Sequence, residues 1–98
     1  MPQDTYTYTF AEGVDLEQVL DTLMLAIVSA EGVYGAARVR MDARCRVERT
    51  ASFVAIDAAT DVGQHINRVF TNFLTREFGA EAFEVRRLER HCAEGVET

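Results

Sequence analysis

Lysine is absent from this chain of 98 residues, so its ten lysine-or-arginine positions are all arginines. Two explanations fit this absence: a genome biased toward arginine codons, or a need for guanidinium groups that contact carboxylates and phosphates in a bidentate manner. Cysteine is scarce as well, and two residues, Cys45 and Cys92, do not make a disulfide framework. We therefore expect both to be reduced thiols.

Long apolar runs are also missing. The longest, at residues 23–28, is far shorter than the roughly 20 residues that a membrane-spanning helix needs. The first residues lack the basic stretch followed by an apolar one that forms a signal peptide. These absences predict a cytoplasmic protein that makes no membrane contact.

The composition, 48% apolar and 27% charged, is that of a folded domain. A chain of this length has one core, so we predict a single α+β domain over residues 1–88 and a polar C-terminal tail over residues 89–98. The net charge is −6, but it is distributed unevenly along the chain. Residues 1–35 contain no basic residue, whereas residues 36–49 are rich in arginine.

Two segments repeat one pattern, which predicts two helices. Each begins with Asp-x-x-Gln, continues with apolar residues at helical spacing and stops at a glycine, Gly32 or Gly79. We expect Asp15 and Asp61 to cap the helices and the glycines to end them. The predicted inward positions are Leu16, Val19, Leu20, Leu23, Ile27 and Ala30 in the first helix and Val62, Ile66, Val69, Phe70 and Phe73 in the second.

Alternating apolar and polar residues predict strands at residues 5–10, 37–47, 52–57 and 82–88. A turn between residues 42 and 50 should fold the middle part into a hairpin, although the alternation does not fix its position. The order β-α-β-β-α-β predicts an α+β fold, the ferredoxin-like βαββαβ sandwich. That fold has a four-stranded antiparallel sheet, both helices on one face and the second strand at an edge.

The outer side of the first helix is a candidate interaction surface. On a helical wheel Leu25 and Val28 point away from the predicted core, and Met24 lies at its margin. Such a face can meet another subunit or a protein partner. Alternatively, these are scattered exposed apolar residues without a role.

The arginines of the predicted hairpin are the second candidate. Alternation places Arg38, Arg40, Arg44 and Arg46 on one basic strand face, able to bind phosphate, nucleic acid or an acidic protein surface. A solvated edge strand, partly paired with Asp42 and Glu48, is the explanation that we favour. Nucleic-acid binding is disfavoured because the chain is acidic and few residues match the stacking strand of the RNA-recognition motif.

Catalytic and metal-binding patterns are not found. Cys45 is predicted to be a buried, inert thiol, and His65 to occupy a packing or capping position. His91 and Cys92 are adjacent, which is not the spacing of a zinc site. We therefore predict no catalytic residue, no metal and no cofactor, and a protein that is more simply explained as a binding module than as an enzyme.

Two family resemblances remain. The sequence Glu-Gly-Val-Asp-Leu-Glu-Gln-Val-Leu at residues 12–20, with Ala-Glu-Gly-Val at 30–33, resembles the first helix of ACT domains. This resemblance implies a regulatory domain that binds a small metabolite at a dimer interface. The order of elements is similar to that of dimeric ferredoxin-like monooxygenases, which implies an enzyme with an interfacial pocket. Our first hypothesis is a small binding domain that self-associates or docks on a protein partner.

Overall fold

The computed structural model describes residues 4–89, which form a four-stranded antiparallel sheet packed against α-helices. The elements in chain order are β1 (Asp4–Phe10), α1 (Leu16–Tyr34), α2 (Ala36–Asp42), β2 (Cys45–Glu48), β3 (Phe53–Asp57), α3 (Asp61–Phe78) and β4 (Phe83–Glu89). A single 3₁₀ turn, Ala80–Ala82, precedes β4. The predicted α+β class with a four-stranded antiparallel sheet is confirmed. All but the first residue of the predicted tail lies outside the described residues.

The sheet has the strand order β2-β3-β1-β4, so β2 is at an edge as predicted. In β1, Tyr8 and Phe10 are buried and Thr9 is exposed, which is the alternation expected of a strand with one face on the core. Tyr8 pairs with Val54 of β3 and with Val85 of β4, placing its ring at the centre of the sheet.

Helix α1 is longer than predicted. The Asp15 carboxylate accepts from the backbone N–H of Glu17, which confirms the predicted cap. The prediction that Gly32 ends the helix is wrong, because the helix continues to Tyr34, whose side chain packs against the core. The chain turns instead at Gly35, where φ is 91°, a conformation that favours glycine.

The first half of the strand predicted over residues 37–47 is a helix in the structure. Residues 36–42 form α2, and only residues 45–48 form the strand β2. The alternation is misleading because α2 buries a single side chain, Val39, and leaves Met41 73% exposed. Alanine, arginine and methionine have high helix propensity, which α2 follows. The hairpin turn falls at residues 49–52, so it begins inside the predicted interval of residues 42–50 and ends two residues beyond it.

Helix α3 starts one residue away from the predicted cap. The Thr60 hydroxyl accepts from the backbone N–H of Gly63 at 3.0 Å, so Asp61 is the first helical residue and not the N-cap. Gly63 is buried against the end of β3. A side chain there would overlap the backbone oxygen of Asp57, so glycine permits the close approach of α3 to the sheet.

The core lies between the sheet and the helices α1 and α3. Its largest fully buried side chains include Tyr8, Val19, Val54, Ile56, Ile66, Phe70 and Leu74. The ring of Tyr8 meets the ring of Phe70 edge to face, with centroids 4.9 Å apart. Several predicted inward positions, including Leu16, Leu20, Val69 and Phe73, are only partly buried.

Candidate functional site

The outer side of α1 carries exposed apolar residues where the sequence predicted them. Met24, Leu25 and Val28 are 58%, 59% and 53% exposed. They lie opposite the buried stripe of α1, which includes Val19 and Ala26. Leu25 is the middle residue of the 19-residue helix, so the patch sits at the centre of a surface about 28 Å long. We call these three residues the apolar α1 face.

Acidic side chains flank the apolar α1 face. Glu17 and Asp21 lie toward the N-terminus of the helix on the same side, and Glu31 lies toward its C-terminus. Glu17 forms an ion pair with Arg49. Within residues 4–89, Asp21 and Glu31 make no ion pair, so their carboxylates remain available to an outside partner.

The four arginines predicted to share one strand face are separated by the fold. Arg38 and Arg40 belong to α2, Arg44 lies in the connection that follows it, and Arg46 is on β2. Only Arg46 lies on a strand, so the prediction that all four lie on one strand is wrong.

Two of these arginines are held by local contacts. The Arg38 guanidinium lies 3.4 Å from the Asp42 carboxylate and 3.9 Å from that of Asp61, and it covers the ring of Tyr34 at 5.1 Å. Arg46 lies over the ring of Phe53 at 5.6 Å. Such contacts give both side chains a structural role.

A polar cleft between α3 and β1 was not predicted from the sequence. It is open to solvent and has a volume of about 600 Å³. Its lining consists of Tyr6, Ala58, Gln64, Asn67, Arg68, Thr71, Asn72 and Thr75. The helical members recur at intervals of three and four residues, which places them on one side of α3. That polar stripe, free of acidic residues, was the sequence signal that could have revealed the cleft.

The inner wall of the polar cleft is fixed by a buried tyrosine. The Tyr8 hydroxyl donates to Oδ1 of Asn67, and its oxygen lies 2.6 Å from Oγ1 of Thr71. The single hydroxyl proton of Thr71 is donated either to the Tyr8 oxygen or to the backbone oxygen of Asn67. Burial raises the pKa of Tyr8 to about 12, so this hydroxyl keeps its proton throughout the physiological range.

His65 and Cys45 occupy packing positions. His65 is hydrogen-bonded to Ser29 at 3.0 Å and meets the ring of Tyr34 edge to face, so it links α3 to α1. Cys45 packs against the core from β2. His91 and Cys92 lie outside the described residues.

We expect the Cys45 thiol to be unreactive in the native protein. Burial, with a smaller effect from the Asp57 carboxylate, raises its pKa to about 11. The reactive thiolate is then about 100-fold rarer at pH 8 than for the same thiol with its ordinary pKa. Iodoacetamide labelling followed by peptide mass spectrometry checks this. Cys45 should be labelled much more slowly in the native sample than in the urea-unfolded one. Equal labelling of the two samples would contradict the prediction of an unreactive thiol.

Two further findings concern residues 4–89. None of the helices there is both long enough and apolar enough to cross a membrane. No three histidine, cysteine or acidic side chains in that part of the chain cluster in a way that could hold a metal ion. A scan against protein-family models and a search of curated proteins return no match for this chain. Function is therefore inferred from the two surfaces described above.

Proposed function

We propose that this protein is a small cytoplasmic binding domain that works as a homodimer, with the apolar α1 face at the centre of the interface. The observation that supports this most strongly is the exposure of Met24, Leu25 and Val28 side by side on the longest helix. Contiguous exposed apolar residues mark interaction sites, whereas isolated ones need no explanation.

The ferredoxin-like arrangement is part of this proposal. The strands β3 and β1 are central, and β2 and β4 are at the edges. Helix α2 is then an addition between α1 and β2, inserted where the arrangement has a loop. This interpretation explains why α2 contributes one buried side chain, Val39, to the core.

The position of the apolar α1 face favours a second copy of this chain as the partner. The face is centred on Leu25, the middle residue of α1, so a two-fold axis there sets the apolar α1 face of one copy against that of the other in an antiparallel pair of helices. Glu31 of one copy then lies near Asp21 of the other, and Arg40 of α2 lies beyond the same end of the helix. The carboxylates therefore oppose the contact, and the favourable free energy must come from apolar contacts along α1.

The expected affinity is moderate. Full burial of an aliphatic side chain stabilises by about 1.5–3 kcal/mol. Met24, Leu25 and Val28 are already about half buried in one chain, so burying the rest of each in a dimer contributes roughly 1 kcal/mol to the free energy of association. The contribution of both copies together, about 6 kcal/mol, is comparable with the loss of rotational and translational freedom on association. Contacts along the rest of α1 must supply the remainder, so we expect a dissociation constant in the micromolar range.

Replacing Leu25 and Val28 together by glutamate should prevent dimer formation. The substitutions put charges where the proposed contact is apolar and already flanked by carboxylates, and we expect association to weaken at least 100-fold. Light scattering coupled to size-exclusion chromatography measures the mass, and circular dichroism checks that the fold is kept.

Val33→Glu is the matched control. Val33 is 63% exposed on the same helix but points well away from the apolar α1 face. We expect this variant to keep the mass of the wild type. An unchanged mass in the Leu25→Glu/Val28→Glu variant would exclude the interface, as would equal loss of assembly in both variants.

A further inference from the structure

The polar cleft combines one positive charge with neutral polar groups. Arg68 lines it together with the amides of Gln64, Asn67 and Asn72, and with the hydroxyls of Tyr6, Thr71 and Thr75. None of the lining residues is acidic, although the chain as a whole carries a net charge of −6. Amide and guanidinium N–H groups are hydrogen-bond donors, so this wall suits a ligand that accepts hydrogen bonds.

Arg68 is not neutralised by the protein. Arg38 and Arg49 both form ion pairs, whereas Arg68 forms none with any residue in the described range 4–89. Its neighbours one helical turn away, Gln64 and Asn72, are uncharged. The guanidinium group is therefore available to an outside anion, for which its planar set of donors is well matched.

The wall of the polar cleft is preorganised by contacts within the protein. The Tyr8 hydroxyl occupies Oδ1 of Asn67, which leaves the amide NH₂ of Asn67 as a donor for the cleft. The ring of Tyr8 is fully buried against Phe70, so this contact is anchored in the core. Gly63 fixes the start of α3 against β3, next to Ala58 at the end of the cleft. Preformed donors bind without the cost of ordering them.

The size of the cleft limits the kind of ligand. A volume of about 600 Å³ falls within the range of roughly 300–1,000 Å³ typical of small-molecule sites. Seven of the eight lining residues carry polar groups, and the apolar part of the wall consists of Ala58, the ring of Tyr6 and the methyl and methylene groups of the polar side chains. The site therefore suits a compact polar molecule more than a large hydrophobic one.

We propose that the polar cleft binds a small organic anion, whose carboxylate or phosphate group pairs with Arg68 and accepts hydrogen bonds from Asn67 and Asn72. This site is independent of the proposed dimer interface, because its lining comes from α3, β1 and the β3–α3 connection and includes no residue of α1.

Two-dimensional ¹H–¹⁵N NMR of the full chain tests this proposal with three probes. Sodium benzoate supplies a carboxylate, sodium phosphate supplies a phosphate, and benzamide is a neutral analogue of benzoate with the same ring. We expect at least one of the two anions to shift the side-chain amide signals of Asn67 and Asn72 in a saturable way. Benzamide should leave them in place. Which anion binds more tightly identifies the preferred group.

The variant Arg68→Gln should weaken that binding at least tenfold, a change equivalent to about 1.4 kcal/mol. Arg76→Gln is the matched control, since Arg76 lies on the same helix, is exposed and does not line the cleft. We expect it to bind like the wild type. Equal binding by Arg68→Gln and the wild type, shifts confined to the arginines of α2 and β2, or no saturable shift with either anion would overturn the proposal.

Discussion

Replacing Phe70 by alanine is expected to lower the free energy of unfolding by about 3–5 kcal/mol. The Phe70 side chain is fully buried in the core, where its ring meets that of Tyr8 at a centroid distance of 4.9 Å and an interplanar angle of 68°. Alanine removes this edge-to-face contact and leaves a cavity beneath the sheet. Because the ring lies between α3 and the central strand, neither element can move in to fill that cavity without disturbing the other.

This loss is large relative to the total stability. A domain of 98 residues has about 5–15 kcal/mol to lose, so the variant should approach the limit of folding. Guanidinium denaturation followed by circular dichroism measures the change. If the alanine variant cannot be purified, Phe70→Leu should fold with a smaller loss.

Phe73→Ala is the matched control for Phe70→Ala. Both residues lie on α3, but Phe73 is only partly buried. The same chemical change should therefore have a clearly smaller effect at Phe73. Equal losses at the two positions would show that the core is not centred on Phe70.

Gly63→Ala is expected to destabilise the protein by about 1–3 kcal/mol or more, although alanine is ordinarily the better helix residue. The added methyl group would overlap the backbone oxygen of Asp57, and backbone atoms cannot rotate away as a side chain can. The start of α3 must then move off the end of β3. For a domain of this size the melting temperature should fall by roughly 4–8 °C per kcal/mol, which differential scanning calorimetry measures.

Gly32→Ala is the matched control for Gly63→Ala, because the same substitution is expected to stabilise the protein at this position. Gly32 is helical and exposed, and a side chain there would meet no atom within 4 Å. Alanine should raise the free energy of unfolding by about 0.5–1 kcal/mol because it favours the helix. A stabilised Gly63→Ala variant would contradict the close packing of α3 against β3.

The sequence predicted those elements whose periodicity coincides with burial. In β1, aromatic rings alternate with threonines, and in α3 the apolar residues recur every three or four positions. Each pattern therefore predicted the correct type of element. Residues 36–42 were misread because a short helix that buries only Val39 imposes no helical pattern on its other residues. Gly32 was misread because nothing local shows that Tyr34, two residues further on, packs against the core.

The two surfaces differ in how far the sequence could reveal them. The apolar α1 face needed only a helical wheel, because Met24, Leu25 and Val28 belong to one helix. The polar cleft joins α3 to Tyr6 of β1 and is ordered by the buried Tyr8 hydroxyl. Such an arrangement depends on tertiary packing, and in particular on the approach of α3 to the sheet at Gly63.

The dimer is the central claim, and the mass of the protein in solution tests it most directly. Sedimentation equilibrium of the full chain across the micromolar range should show a reversible association that approaches twice the chain mass of 11.0 kDa. Added salt should not weaken it, because the carboxylates that flank the apolar α1 face repel one another across the proposed contact and salt screens that repulsion. A mass of 11.0 kDa at every concentration would contradict the proposal.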